Sequence, residues 1–446
     1  MGSGENNNKR LAGLKDTFRS FKYRNYRLFF AGQSISLIGT WIQRIATPWL
    51  VYHLTNSAFL LGVVGFAGQI PTFLIAPFAG VLTDRWNRYH IMIATQVGAM
   101  IQALILSLLF FSGHIHVWHI VLLNVLLGCI NAFDTPARQS MVIQMVEKRE
   151  DLGNAIALNS SMVNSARLLG PSIAGVLIAL TGEGVCFMIN AISYLFVIAS
   201  LLMMRIAPRE TIRKKAHVLK EMKEGFSYVL GFAPIKHIII LLAIVSFMGT
   251  SYQVLMPVFA REVLHGGPHT FGFLMGASGL GALSGALYLA SRKSVVGLCN
   301  IIPAAAALFG VSLIALSFSR FQALSMVLMV FVGLGMITQL ASSNTILQTV
   351  VDDNKRGRVM SFYTMAFMGT APFGSLLAGT LAKYFGSPAA IMLGGIVCIL
   401  GALLFASRLN KIRRLVHPIF VNMGFIPEEV STGIQAATDL TGPPEE

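Results

Sequence analysis

Gly39-Thr40-Trp41-Ile42-Gln43 recurs in looser form 210 residues later as Gly249-Thr250-Ser251-Tyr252-Gln253, and in the same frame Gly62 falls on Gly272. A frame of 204 places Gln144, Gly153, Gly170, Gly175 and Gly182 on Gln348, Gly357, Gly374, Gly379 and Gly386. Single matches are cheap in a chain with 42 glycines. Five in one frame, interleaved with matching apolar blocks, mark an internal duplication. A duplicated apolar chain of this length is the pattern of a transporter built from two bundles with a site between them.

Composition agrees with that pattern. The 446 residues are 54% hydrophobic and 12% charged, with mean hydropathy +0.68, too apolar for a soluble protein of this size. A helix needs about 20 apolar residues to cross the hydrocarbon. Twelve segments qualify, at 28–52, 58–82, 91–112, 117–144, 154–180, 184–204, 237–260, 270–291, 295–318, 322–350, 358–382 and 387–407. The segments 270–291 and 358–382 are rich in Gly, Ser and Thr, as expected of helices that pack closely or rock against partners.

The basic residues orient these spans. With the N-terminus in the cytoplasm, 28 of the 34 Lys and Arg fall on inner segments. Only Arg261, Arg320 and Lys383 fall on outer loops, while Arg44, Arg138 and Arg167 lie inside spans. This positive-inside bias predicts cytoplasmic termini. The net charge of +15 is therefore topogenic, aided by anionic lipid, and does not point to nucleic acid. The organisation expected is a cytoplasmic amphipathic segment (1–27), a six-helix bundle (28–204), a basic amphipathic linker (205–236), a second bundle (237–407) and a tail (408–446). Residues 14–27 read as a helix lying on the membrane surface, and the tail after about residue 409 as mobile.

Other classes close quickly. The first apolar run follows about 27 polar residues and is of full span length, unlike a cleavable signal. Cys129, Cys186, Cys299 and Cys398 are scattered singly, and the ten histidines lack ligand spacing, so neither disulfide frame nor metal site is expected. No Lys follows a Gly, which excludes a Walker A loop. No cofactor is implied, and no nucleophile or acid–base cluster suggests an enzyme.

Gly80-Val81-Leu82-Thr83-Asp84-Arg85-Trp86-Asn87-Arg88 stands between spans two and three. It matches the loop motif of the major facilitator superfamily, Gly-x-x-x-Asp-Arg-x-Gly-Arg, with Asn87 where glycine is usual and a left-handed turn is expected. Gly80, Asp84, Arg85 and Arg88 then form a gate, with Asp84 against a helix N-terminus. The alternative is a basic loop that only sets topology. Gly170-Pro171-Ser172-Ile173-Ala174-Gly175 in span five resembles the superfamily's antiporter motif, Gly-Pro-x-x-Gly-Gly, carried here by Gly170, Pro171 and Gly175. It implies export, although an ordinary small-residue packing face would use the same residues.

Asp134 in span four lies about ten residues, or ~15 Å, from the inner end. It is the one carboxylate well inside a span, with Arg138 four residues on as partner. The pair serves either proton coupling or a fixed structural ion pair. Arg44 with Gln43, and Arg167 on a stripe with Ser160 and Asn164, give the first half a cationic lining. Thr338, Ser342, Thr345 and Thr349, beside Gln339 and Asn344, leave the second half neutral. Such a lining suits an anionic or strongly polar substrate.

Gly39-Thr40-Trp41-Ile42-Gln43-Arg44, Asp134-Thr135-Pro136-Ala137-Arg138-Gln139 and Asn154-Ala155-Ile156-Ala157-Leu158-Asn159 are similar to the enterobactin-exporter type within the third drug:proton antiporter family. The resemblance covers roughly 18–415. It implies an all-α membrane protein of twelve transmembrane helices in two pseudo-symmetric six-helix bundles. Spans one, four, seven and ten would line the cavity, making Arg44, Asp134, Arg138, Gln253, Gln339 and Asn344 candidates. The resemblance implies a polar or acidic residue where Pro48 stands, which disfavours a proton site in span one. The function expected is proton-coupled export of a small amphiphilic or anionic compound, such as a siderophore, macrolide or other drug. The protein would act as a monomer in the bacterial inner membrane. The alternatives are uptake or flipping of an organic anion or lipid, and a non-transporting receptor or scaffold.

Overall fold

The computed structural model describes residues 18–205, 226–292 and 294–425, apart from the side chains at 76, 77, 80, 81, 83–85, 149, 353 and 354. The described residues are helical almost throughout. We number the spans α1 (Arg24–Thr55), α2 (Ala58–Arg85), α3 (Arg88–Phe111), α4 (Val117–Gln144), α5 (Leu152–Thr181) and α6 (Glu183–Leu202). The second set is α7 (Ala233–Val263), α8 (Pro268–Ser291), α9 (Leu298–Phe318), α10 (Gln322–Val350), α11 (353–385) and α12 (387–406). A continuous run, Lys355–Ala406, is divided into α11 and α12 by Gly386, whose φ of 82° no helix contains. Ten helices are long and apolar enough to cross a membrane by length and composition. That division and the more polar 32-residue α1 bring the spans to twelve. Side chains such as Leu74, Phe78, Leu108, Leu287 and Leu404 stand exposed on the outside, which suits a hydrocarbon solvent.

The two halves repeat one packing scheme. α1 packs on α6 and α7 on α12, α2 on α4 and α8 on α10, α3 on α6 and α9 on α12. The duplicated glycines explain why. A Cβ on Gly39 would lie 2.4 Å from Ser193 Oγ of α6, and one on its repeat mate Gly249 2.6 Å from Cys398 Sγ of α12. Between the bundles, α2 crosses α11 and α5 crosses α8. A Cβ on Gly62 would meet the Gly379 Cα at 3.1 Å, and one on Gly272 the Gly175 Cα at 2.7 Å. The repeat carries Gly62 onto Gly272 and Gly175 onto Gly379, so these crossings are one contact made twice about the pseudo-symmetry axis. The small residues noted at 270–291 and 358–382 belong to these crossings.

Both crossings lie in the half of the molecule remote from the termini. At that far end Tyr52 donates to Glu262 across the bundle boundary at 2.5 Å, and Trp49 stacks on Phe271 at 6.1 Å. Tyr52 and Glu262 are themselves 210 residues apart, at equivalent positions of the repeat. Toward the termini, Ser161 of α5 and Thr345 and Gln348 of α10 are exposed. The bundles thus meet at the far end and leave polar faces accessible at the near end.

Three expectations change. Residues 19–22 form a short 3-10 turn rather than part of a membrane-surface helix. The turn is drawn onto the bundle because Asp151, before α5, accepts from the Tyr23 hydroxyl at 2.7 Å and pairs with Lys22 at 2.6 Å and Arg19 at 3.2 Å. Asn87 has φ −68°, not left-handed; its side chain accepts from the Tyr89 amide at 3.0 Å and caps α3. The start of the tail forms a further helix, α13 (Leu409–Asn422), because Ile412, Val416 and Phe420 recur every fourth residue and bury one face. Residues 14–17, the linker at 206–225 and the tail from 426 lie outside the described residues.

The Asp151 anchor responds to pH in a calculable direction. The Lys22 ammonium, and then the Tyr23 hydroxyl, hold the Asp151 carboxyl below its ordinary 3.8, and Asp151 raises Lys22 above 10.5. A lowered acid stabilises the docked state above its ordinary value, and that stabilisation is lost as pH falls through the lowered one. A raised base does so below its ordinary value and loses the contribution as pH rises through the raised one. The anchor therefore holds fully between those two ordinary values. Asp151→Ala is expected to speed trypsin cleavage after Lys22 and Arg24 at neutral pH; an unchanged cleavage rate would show that the turn is held by other contacts.

Candidate functional site

The intramembrane charges fall into two groups. Asp134 of α4 is 5% exposed and fully partnered. Its Oδ1 accepts from Gln96 Nε2 at 2.7 Å and Thr95 Oγ1 at 3.1 Å, both from α3, while its Oδ2 meets Arg138 at 3.2 Å. The i,i+4 spacing brings the pair together as expected, and α3 supplies two further donors. Asp134 therefore faces the interior of the first bundle, with the Arg138 side chain 27% exposed beside it.

Arg44 and Arg167 form the second group. Arg44 on α1 and Arg167 on α5 both stack on the indole of Trp41, at 4.9 and 5.7 Å from the ring centroid. Trp41 precedes Arg44 by three residues and so shares its helix face. Gly170 brings α5 close, since a Cβ there would sit 2.4 Å from the Trp41 Cβ. The two guanidiniums carry like charges and repel one another, and Tyr252 of α7 in the second bundle lies in the neighbourhood of Arg167. Among the described residues no carboxylate lies within salt-bridge distance of either.

Magnitudes decide what surrounds them. An Arg at the centre of a span costs about 2.5–3.5 kcal/mol even on insertion scales, whereas a cation–π contact returns roughly 0.5–2 kcal/mol. Stacking alone does not offset burial in hydrocarbon. Arg44 is instead exposed and Arg167 half-buried, as groups facing an aqueous cavity would be.

The remaining candidates divide. Gln43 is 4% exposed and turned into the first bundle, donating to Gln102 at 2.9 Å and accepting from Asn190 at 2.7 Å. The helix face beside Arg44 thus serves packing, and Gln43 is not part of the accessible lining. Gln339 is also buried, within reach of Ser343 at 3.4 Å. Gln253 and Asn344 are half-buried, Asn344 accepting from Gln348. Gly80, Asp84 and Arg85 end α2, but their surroundings lie outside the described residues; Arg88 opens α3. Gly170 and Gly175 of the antiporter-like motif support the α1 and α8 contacts, and a Cβ on Gly272 would lie 2.5 Å from the Pro171 carbonyl oxygen. Sequence reasoning did not single out Trp41 or the Tyr52–Glu262 contact as functional. The i,i+3 spacing of Trp41 and Arg44 was the available signal for the first.

Comparison with known proteins fits this arrangement. Residues 15–417 match the model of the transmembrane secretion effector family. The chain belongs to that family of major facilitator transporters. Its relatives include the staphyloferrin A transporter of Staphylococcus aureus, 27% identical over 87% of this chain and 97% of the relative. Macrolide efflux protein A of Streptococcus pyogenes is 23% identical over 88% and 99% of the two chains. Among solved structures, a bacterial homologue of the human lysosomal transporter Spinster, inward-facing and occupied, superposes with a TM-score of 0.68. That likeness has 14% identity over 89% of this chain and 98% of the other, and shows the shared fold. The protein is thus a multi-pass membrane transporter, and its family and neighbours are transporters rather than enzymes.

Proposed function

We propose that the protein is a proton-coupled exporter that carries a small anionic or amphiphilic compound across the inner membrane by alternating access. The observation that carries this reading is the pair of guanidiniums on Trp41, near the middle of α1 and α5, with no carboxylate in salt-bridge reach among the described residues. In this reading the excess of basic residues on the terminal side marks the cytoplasmic face, so the accessible face is the inward one. Asp134 and Arg138 are the proton-coupling pair in this reading, and Gly80, Asp84, Arg85 and Arg88 gate the cytoplasmic side. Two bundles in one chain make a complete alternating-access unit, so the monomer suffices. Named relatives that handle a siderophore and a macrolide support a small-molecule cargo.

Everted membrane vesicles test direction, coupling and charge together, with carboxyfluorescein as a fluorescent anionic amphiphile. Vesicles acidified inside are expected to accumulate the dye above the bath concentration, and a protonophore should abolish the accumulation. Uptake confined to right-side-out vesicles would overturn export, and accumulation insensitive to the protonophore would overturn proton coupling.

A further inference from the structure

We propose that Arg44 and Arg167, held together on Trp41, form a two-point receptor for a substrate carrying two anionic groups. The inference rests on the export reading of the same cavity and specifies the cargo it accepts. Its basis is charge inventory. Arg138 is neutralised by Asp134 at 3.2 Å, whereas Arg44 and Arg167 have no such partner among the described residues. The site therefore holds two positive charges. One carboxylate would compensate one guanidinium and leave the other, so a ligand with two anionic groups matches the site and a monoanion does not.

Geometry supports two separate contacts rather than one bidentate grip. The guanidiniums come from different helices and each stacks on the same indole. Their separation cannot exceed the two centroid distances laid end to end, so one small molecule can reach both. Trp41 is a positioning residue: Gly170 seats it against α5, and its rigid ring keeps two like charges from moving apart. On the facing bundle, Gln253 is half-buried and uncharged, which suits the uncharged part of the cargo.

The test uses purified full-length protein and isothermal titration with α,ω-dicarboxylates from succinate to azelate, beside monocarboxylates of equal length. One preferred chain length is expected to bind at least about 10-fold tighter as the dicarboxylate. Arg44→Gln and Arg167→Gln should each lower its affinity about 10- to 100-fold, to the monocarboxylate level. Arg44→Lys, which keeps the charge, should retain more affinity than Arg44→Gln and so separates lost charge from misfolding. Equal binding of mono- and dicarboxylates at every length, or loss on substituting only one of the two Arg, overturns the two-point receptor. Protein that accumulates carboxyfluorescein yet lacks dicarboxylate preference overturns the receptor alone. Protein that shows the preference, lost in both variants, but transports nothing overturns the export reading and leaves the receptor standing.

Discussion

Asp134→Ala is expected to lower the stability of the first bundle by about 3–5 kcal/mol, the usual cost of leaving a buried charge without its partner. The loss has three parts in this structure. Arg138 loses its counter-ion, and the side chains of Thr95 and Gln96 lose an acceptor in a site where little water can replace it. Asp134→Asn keeps an oxygen for Gln96 and Thr95 and removes only the charge, so its effect on stability should be smaller. The two readings of the pair then separate. If it couples protons, the folded Asn variant should still exchange carboxyfluorescein across vesicles without a gradient, yet fail to concentrate it under one. If it is structural, combining Asp134→Asn with Arg138→Gln should restore both stability and concentrative transport. A folded Asn variant that concentrates the dye as wild type does places the proton site elsewhere.

The architecture was legible in the sequence because a membrane leaves few choices. Backbone groups in hydrocarbon must bond within the helix, so apolar length alone locates the spans. The repeat frames then paired residues that turn out to be related contacts: Gly39 with Gly249 at the α1–α6 and α7–α12 crossings, Gly62 and Gly175 with Gly272 and Gly379 between bundles. Helix rotation was less legible. A polar residue beside Arg44 can face the cavity or the bundle interior, and periodicity does not distinguish them; Gln43 took the second course with Gln102 and Asn190. The π turns at Val245–Gly249 and Met365–Gly369 were invisible for a related reason. Each adds one residue to a turn and shifts the face of all that follows. The Ser246 hydroxyl donates to the Phe367 carbonyl, joining the two turns, and that contact depends on tertiary approach rather than on any local pattern. Docking of residues 18–23 was hidden likewise, since their basic and aromatic composition suits a lipid surface as well as it suits Asp151.

Gly175→Leu is expected to prevent closure of the far end and to abolish concentrative transport while both bundles remain folded. A Cβ at Gly175 would lie 2.8 Å from the Pro268 carbonyl oxygen and 2.9 Å from the Gly272 Cα. Both are backbone atoms, so no rotamer change can make room; the α5–α8 crossing itself must open. Overpacking of this kind costs about 1–3 kcal/mol. Because the cost falls on the closed state alone, it shifts the open–closed balance roughly 5- to 150-fold. The repeat supplies an independent check. A Cβ on Gly379 would lie 2.7 Å from the Ala58 carbonyl oxygen and 2.9 Å from the Gly62 Cα, so Gly379→Leu should act in the same sense through the other crossing. Gly153→Leu is the control, since a Cβ there meets nothing within 4 Å. Closure is read from a cysteine at Tyr52, whose side chain is 4% exposed where the bundles meet. In Tyr52→Cys protein a membrane-impermeant maleimide added from the far side should react slowly, and faster once Gly175→Leu or Gly379→Leu is added. If labelling and transport stay at the level of the Gly153 control, the glycine pairs only pack the helices, and the far end is closed by other contacts, the stack of Trp49 on Phe271 among them.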